Sequence, residues 1–174
     1  MTMPDLAMHI LDIIENSTRA EAKNISIEIV EDSAKNELSI TIIDDGKGMT
    51  GEELKHALDP FYTTKTERSK VGLGLPLLKE TAEQAGGCLV VTSAPRKGTE
   101  VRVRMVLDHI DKPPLGDINQ MLQISIATNP GVVFDFTYTV DGETETFSTR
   151  DDPPGNGGVS DGTYNRAPGV ASPD

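Results

Sequence analysis

Asp5, His9, Asp12, Asn16, Arg19 and Lys23 step along the chain by four, three, four, three and four residues. In a helix that spacing sets all six on one stripe, with Asp12 and Asn16 as neighbours one turn apart. The Asn16 carboxamide oxygen suits Mg²⁺, a hard cation that takes oxygen ligands and accompanies nucleotide phosphates. A carboxylate at Asp12 is placed to orient a nucleophile beside it. The same stripe on an ordinary amphipathic helix is its solvated side, so its meaning depends on what stands further along the chain.

Two such features follow. In Ile42-Ile43-Asp44-Asp45-Gly46-Lys47-Gly48-Met49, glycines at alternate positions let the backbone turn sharply and lie against a flat ligand. An ionised carboxylate at the mouth of that turn only accepts hydrogen bonds, so it selects the exocyclic amino group of adenine over the carbonyl of guanine. In Val71-Gly72-Leu73-Gly74-Leu75-Pro76-Leu77, a Gly-rich loop runs into a helix whose first N–H groups are free to hold phosphate. This is no dinucleotide fingerprint, because Leu77 stands where the third glycine belongs and a polar loop precedes it instead of a strand. A Gly-rich loop ending in Gly-Lys-Ser/Thr is absent as well. Just upstream, Lys65, Arg68 and Lys70 bring positive charge into an acidic chain, as a lid over phosphates would.

The elements that position these residues read from periodicity. Leu6, Ile10, Leu11, Ile13, Ile14 and Ala20 predict a helix from Asp5 to about Lys23. Ile25, Ile27 and Ile29, then Leu38, Ile40 and Ile42, alternate with polar residues as two strands joined by a hairpin loop. Thr50 and Glu53 form a capping box for a short helix that Asp59-Pro60 closes. A mobile polar loop is expected over Thr63–Lys70, followed by a helix over Leu75–Ala85 that Gly86-Gly87 stops. Strands over Cys88–Ser93 and Glu100–Leu107 complete the unit. Helices and strands in this order predict an α+β two-layer sandwich, with helices on one face of a mixed or antiparallel sheet. Beyond Asp111 a helix carrying Leu115, Ile118, Met121, Leu122 and Ile126 precedes a hairpin turning at Asp141-Gly142. We expect three parts: a binding domain over 1–110, a helix-plus-hairpin appendage over 111–150, and a disordered tail over 151–174, where nine of 24 residues are Gly or Pro.

The 174 residues carry a formal net charge of −12, which argues against nucleic acid or an anionic membrane as the main partner. Cys88 is the only cysteine, so one chain assembles neither a disulfide nor a cysteine-based metal site. No apolar run reaches membrane-spanning length, and Met1-Thr2-Met3-Pro4-Asp5 lacks the features of a signal peptide. A cytoplasmic protein is expected.

Taken in order, Glu15-Asn16, Asp44-Asp45-Gly46-Lys47-Gly48-Met49, Asp59-Pro60-Phe61-Tyr62-Thr63-Thr64-Lys65, Gly72-Leu73-Gly74-Leu75 and Lys97-Gly98-Thr99 resemble the GHKL superfamily of ATPases and kinases. The resemblance runs from Asp5 to Leu107 and is nearest the sensor histidine kinases. It implies the Bergerat ATP-binding fold, with ATP and Mg²⁺ as cofactors. Asn16 would hold Mg²⁺, and Asp44 would read adenine above Gly48. Gly46 and Met49 belong to the adenine loop, and Thr99 would be an outer adenine contact. Lys65, Gly72, Leu73, Gly74 and Leu75 would cover the phosphates. Three features depart from the sensor-kinase pattern. Lys70 stands where a glycine is usual. Asp12, the candidate base, stands where hydrolysing members carry Glu. No helical hairpin with a phospho-acceptor histidine is expected ahead of the domain, and His9, His56 and His109 lack that context. The sequence therefore predicts a stand-alone module that phosphorylates a regulatory partner protein in trans, or an ATP-gated interaction switch with slow or no hydrolysis. The partner's identity and a homodimer are left open.

Overall fold

In the computed structural model residues 4–61 and 74–151 are described. The expected lid over Thr63–Lys70, with Lys65, Arg68 and Lys70, lies outside them. So do Gly72, Leu73 and the tail from residue 152.

The first helix, α1 (Leu6–Arg19), starts where the Asp5 carboxylate accepts from the Met8 N–H at 2.9 Å, an N-cap that satisfies one free donor of the first turn. It ends four residues earlier than the periodicity predicts. The Glu21 and Ala22 N–H groups return to the Thr18 and Ser17 carbonyls, with Glu21 at φ 62°, the geometry of a Schellman stop. The stop also frees the Ala20 carbonyl to accept from the Lys47 N–H at 2.9 Å, so the end of α1 is tied to the Gly-rich turn.

Six strands form one mixed sheet. They are β1 (Asn24–Asp32), β2 (Glu37–Asp44), β3 (Cys88–Ala94), β4 (Gly98–Val106), β5 (Val133–Val140) and β6 (Glu143–Ser148), in the order β3-β4-β2-β1-β5-β6. Alternation sends Ile25, Ile27, Ile29, Leu38, Ile40, Ile42, Val101, Val103, Met105, Phe134 and Phe136 to one buried face. On that face lie α1, α3 (Gly74–Gln84) and α4 (Ile118–Thr128), with α1 between the other two. This is an α+β two-layer sandwich. The short α2 (Gly51–Ala57) is capped by Thr50, which accepts from the Glu53 N–H at 3.1 Å. The α3 helix stops at Gly86, φ 77°, with the Gly87 N–H on the Ala82 carbonyl.

The helix and hairpin expected over 111–150 are present, but they do not hang from the body as an appendage. The β5 strand pairs in parallel with β1 over eight residues and continues the same sheet. Parallel neighbours need a crossover, and α4 supplies it while burying Ile118, Met121 and Leu122 in the common core. At the β5–β6 turn both Asp141 and Gly142 have positive φ, as a two-residue hairpin of the right twist requires. The Asp141 carboxylate then accepts from the Ser33 N–H at 2.7 Å and its hydroxyl at 2.9 Å, which holds its pKa below the usual range. None of the described helices is long and apolar enough to cross a membrane.

Candidate functional site

The alternation that makes β2 and β4 half-buried continues one step past their apolar residues. After Leu38, Ile40 and Ile42 the next inward position is Asp44; before Val101, Val103 and Met105 it is Thr99. The two are register partners, so an acid and a hydroxyl stand side by side where the core pattern calls for apolar groups. Helical spacing does the same on α1, where Ser17 follows Ile10, Ile13 and Ile14 on the buried side.

These polar groups border a cavity of about 230 Å³ lined by Ile13, Asn16, Ser17, Ala20, Asp44, Gly48, Met49, Ala57, Leu75, Thr99 and Val101. Asp44 is 8 % exposed. Its Oδ2 accepts from the Ser17 hydroxyl at 2.7 Å, and its Oδ1 from the Gly46 N–H at 2.9 Å. Ser17 also lies 3.2 Å from the Ile13 carbonyl, but a 2.7 Å contact between hydroxyl and carboxylate requires the proton between them. A buried carboxylate is thus held by two donors and keeps lone pairs for a ligand.

The glycines explain how the turn comes so close. Gly48 has φ 67°, and a Cβ there would sit 1.9 Å from the Ala94 carbonyl oxygen; Gly98 has φ 79°, and its Cβ would sit 1.9 Å from the Asp44 carbonyl oxygen. Backbone packs on backbone at both places, which only glycine permits. The Ser93 hydroxyl secures the same junction. It accepts from the Met49 N–H at 2.9 Å, donates to the Gly98 carbonyl at 3.0 Å, and lies 2.8 Å from Thr99 Oγ1. Neighbouring Asp45 has no share in the cavity. Its carboxylate accepts from the Asn24 side chain and from the Asn24 and Lys23 N–H groups at 2.8–2.9 Å, and these bonds, the side-chain one foremost, hold its pKa low.

Asn16, Asp44, Gly48, Met49, Leu75 and Thr99, singled out in the sequence, all line this one cavity. Gly46 does not. It is buried behind the wall, where a Cβ would come within 2.8 Å of the Ala20 carbonyl oxygen, and its N–H serves Asp44. Gly74 and Asp12 stand just outside. A Cβ on Gly74 would lie 3.5 Å from Asp12 Cβ and 3.6 Å from Asn16 Nδ2, so the start of α3 meets α1 at these two residues. The Asn16 side chain makes no hydrogen bond to any other described residue. Asp12 is solvent-accessible, yet its carboxyl pKa is raised, first by partial desolvation and then by Glu15. His9, one turn before it, is buried against α3 with Nε2 3.4 Å from Thr81 Oγ1, and burial lowers its pKa. Lys65, Gly72 and Leu73 fall outside the described residues. The residues that sequence reasoning missed are Ser17 and Ser93. Ser17 carried a signal, a hydroxyl on an otherwise apolar helical stripe, whereas nothing in the sequence marks Ser93.

Comparison with known proteins gives this geometry its family. The family described as "Histidine kinase-, DNA gyrase B-, and HSP90-like ATPase" matches residues 3–109. The sensor histidine kinase ZraS of Klebsiella oxytoca is 33% identical over 97 residues, 55% of this chain and 21% of that protein. The anti-sigma F factor of Thermoanaerobacter sp. (strain X514) is 35% identical over 68 residues, 39% of this chain and 43% of that one. The chain thus spans about a fifth of the ZraS kinase and less than half of the anti-sigma factor. Among solved structures, the Aquifex aeolicus MutL ATPase domain complexed with ADP superposes with a TM-score of 0.51 at 18% identity, covering 82% of this chain and 62% of that chain. That likeness is one of fold, and it takes in more of the chain than residues 3–109 contain. The match over 3–109, more than half the chain, makes this protein a member of the histidine kinase-, DNA gyrase B- and HSP90-like ATPase family, carrying that family's ATP-binding domain.

Proposed function

We propose that the protein binds ATP in a Mg²⁺-dependent way and acts as a kinase-type regulatory module, transferring the γ-phosphate to a partner protein in trans. The observation that carries this reading is the cavity lined by Asp44, Thr99 and Asn16. At about 230 Å³ it is smaller than the roughly 300–1,000 Å³ of a pocket for a whole drug-sized ligand. It suits a purine base, with ribose and phosphates outside. Asp44, an acceptor held by Ser17 and Gly46, takes a hydrogen from the adenine amino group, while Ile13, Met49, Leu75 and Val101 enclose the ring. Gly74, Leu75 and the preceding Gly72 and Leu73 belong to the phosphate side by their place in the sequence, and so does Lys65.

The residues present fit a Mg²⁺ ion on that side. The Asn16 carboxamide borders the cavity and has no other bond among the described residues, so its oxygen is available to a hard cation. Bound there, Mg²⁺ would neutralise phosphate charge and align the phosphoryl group. Asp12, one helical turn away, takes the proton of the attacking group. Its raised pKa moves it toward the range where a base works near neutral pH. A regulatory protein as phosphate acceptor is supported by the likeness to sensor histidine kinases and to an anti-sigma F factor.

A second reading, an ATP-gated interaction switch with slow or no hydrolysis, is favoured by Asp12 itself. Asp is one methylene shorter than Glu, and misplacing a reacting group by about 1 Å costs on the order of 100-fold in rate. Single-turnover assays with radiolabelled ATP, beside equilibrium binding, separate the two. In the first reading Asp12→Asn abolishes turnover, Asp12→Glu increases it, and both bind Mg-ATP within a few-fold of the parent, whereas Asn16→Ala loses the Mg²⁺-dependent part of binding. Unchanged turnover in Asp12→Asn would leave the switch as the function.

A further inference from the structure

A serine hydroxyl has one proton to give and two lone pairs to receive with. At Ser93 all three are in use. The Met49 N–H can only donate to it at 2.9 Å, and the Gly98 carbonyl can only accept from it at 3.0 Å. The third contact, 2.8 Å from Thr99 Oγ1, leaves one assignment that puts a proton in every gap: Thr99 donates to Ser93. Were Ser93 to donate to Thr99 instead, two oxygens would face each other at 3.0 Å with no hydrogen between Ser93 and Gly98. Thr99, which lines the cavity, therefore has no proton left for a ligand and offers only lone pairs.

We infer that Ser93 is a specificity-determining residue that acts through Thr99, without reaching the ligand itself. By taking the Thr99 proton it turns a hydroxyl that could serve donors and acceptors alike into an acceptor. The register places Thr99 opposite Asp44, whose carboxylate also only accepts. The polar wall of the cavity is then uniform, two acceptors on adjacent strands. A ligand edge carrying an amino group matches it, directly or through a water that the amino group orders. An edge carrying a carbonyl at that position meets lone pairs on both. The same hydroxyl holds the Met49 end of the Gly-rich turn, so base selection and the shape of the cavity depend on one side chain of β3 that borders neither base nor phosphate.

The inference rests on the adenine reading above, and the test keeps the two apart. Calorimetric titrations of the full chain with Mg-ATP and with the triphosphate of 6-methoxypurine riboside, which keeps N1 unprotonated and carries an accepting oxygen in place of the 6-amino group, give a ratio of affinities. The parent prefers ATP. In Ser93→Ala, Thr99 regains its proton and donates to the 6-methoxy oxygen, so the preference falls about 5- to 10-fold, the effect of one hydrogen bond. Ser93→Thr keeps a hydroxyl on a strand position that Thr suits and retains the parental ratio. Thr99→Val removes the acceptor with Ser93 intact, lowers the ratio by a similar factor, and abolishes any further effect of Ser93→Ala. If Ser93→Ala weakens both nucleotides by one common factor, the hydroxyl only props the turn and the inference is overturned. An unchanged ratio in Thr99→Val overturns it also, even where Ser93→Ala does not fold. A parent that shows no preference for ATP would bring down the adenine reading and this inference with it.

Discussion

Asp44, at the end of β2, and Glu31, near the end of β1, interrupt the same apolar face, and both are over nine-tenths buried. Each stands where strand alternation calls for an apolar residue, one after Ile42 and the other after Ile29. Their surroundings differ. Glu31 Oε2 accepts from the Tyr138 hydroxyl at 2.9 Å, and the phenol is held well above its usual pKa by burial first and by Glu31 next. There the acid is met by a large side chain that fills the space over it. Asp44 is met by a small hydroxyl and a backbone N–H, and the space over it is a cavity. A buried carboxylate is thus a structural bond when its partner fills the volume, and, on the reading proposed above, a binding group when its partners leave the volume open. Ser17 and Gly46 are small enough to do the second.

Several substitutions sharpen this contrast. Leu38, fully buried opposite Glu31, belongs to the filled end of the face. Leu38→Ala should cost about 2–5 kcal/mol, read as a lower urea midpoint, while the folded fraction still binds ATP within two-fold of the parent. Tyr138→Phe removes the donor to Glu31 and leaves a buried acid short of a bond, for a loss of roughly 1–3 kcal/mol, again with unchanged ATP affinity. Weaker nucleotide binding in Tyr138→Phe at full occupancy of the folded state would mean that the two ends are coupled. The smallest effect belongs to His9. Its pKa in the folded protein lies below the ordinary 6.5, so the unfolded chain takes up the proton first as pH falls. Stability contributed by neutral His9 is present above about pH 7 and declines below 6.5, by at most about 1.4 kcal/mol per pH unit. Melting temperatures between pH 7.5 and 5.5 should fall less steeply in His9→Gln than in the parent.

Much of the architecture is written in short-range pattern. The isoleucine alternation of β1 and β2, the Asp5 and Thr50 caps and the glycine stop of α3 each depend on residues within a few positions of one another, and a sequence displays those directly. The same holds for the group Asn16, Asp44, Gly48, Met49, Leu75 and Thr99, which motif order collects and one cavity unites. Long-range partners are less legible. That β5 would join β1 in parallel is a matter of register between segments more than a hundred residues apart, and no periodicity encodes it, so the hairpin reads as an appendage. Ser17 meets Asp44 across 27 residues. The Ala20 carbonyl, which the early stop of α1 frees to anchor Lys47, belongs to the backbone and leaves no mark in side-chain types. Gly46 shows the converse: its spacing suggests ligand contact, while its lack of a side chain is required by the end of α1.

On the proposed reading Asp44 is the group that reads the base. Calorimetric titration of the parent and Asp44→Asn with Mg-ATP and with GTP tests it most directly, with urea denaturation as the control for folding. Removing a charge-assisted hydrogen bond worth roughly 1.5–3 kcal/mol should weaken ATP binding about 10- to 150-fold and erase the preference over GTP. Asp44→Asn binding ATP as tightly as the parent, with the same preference, would contradict the account.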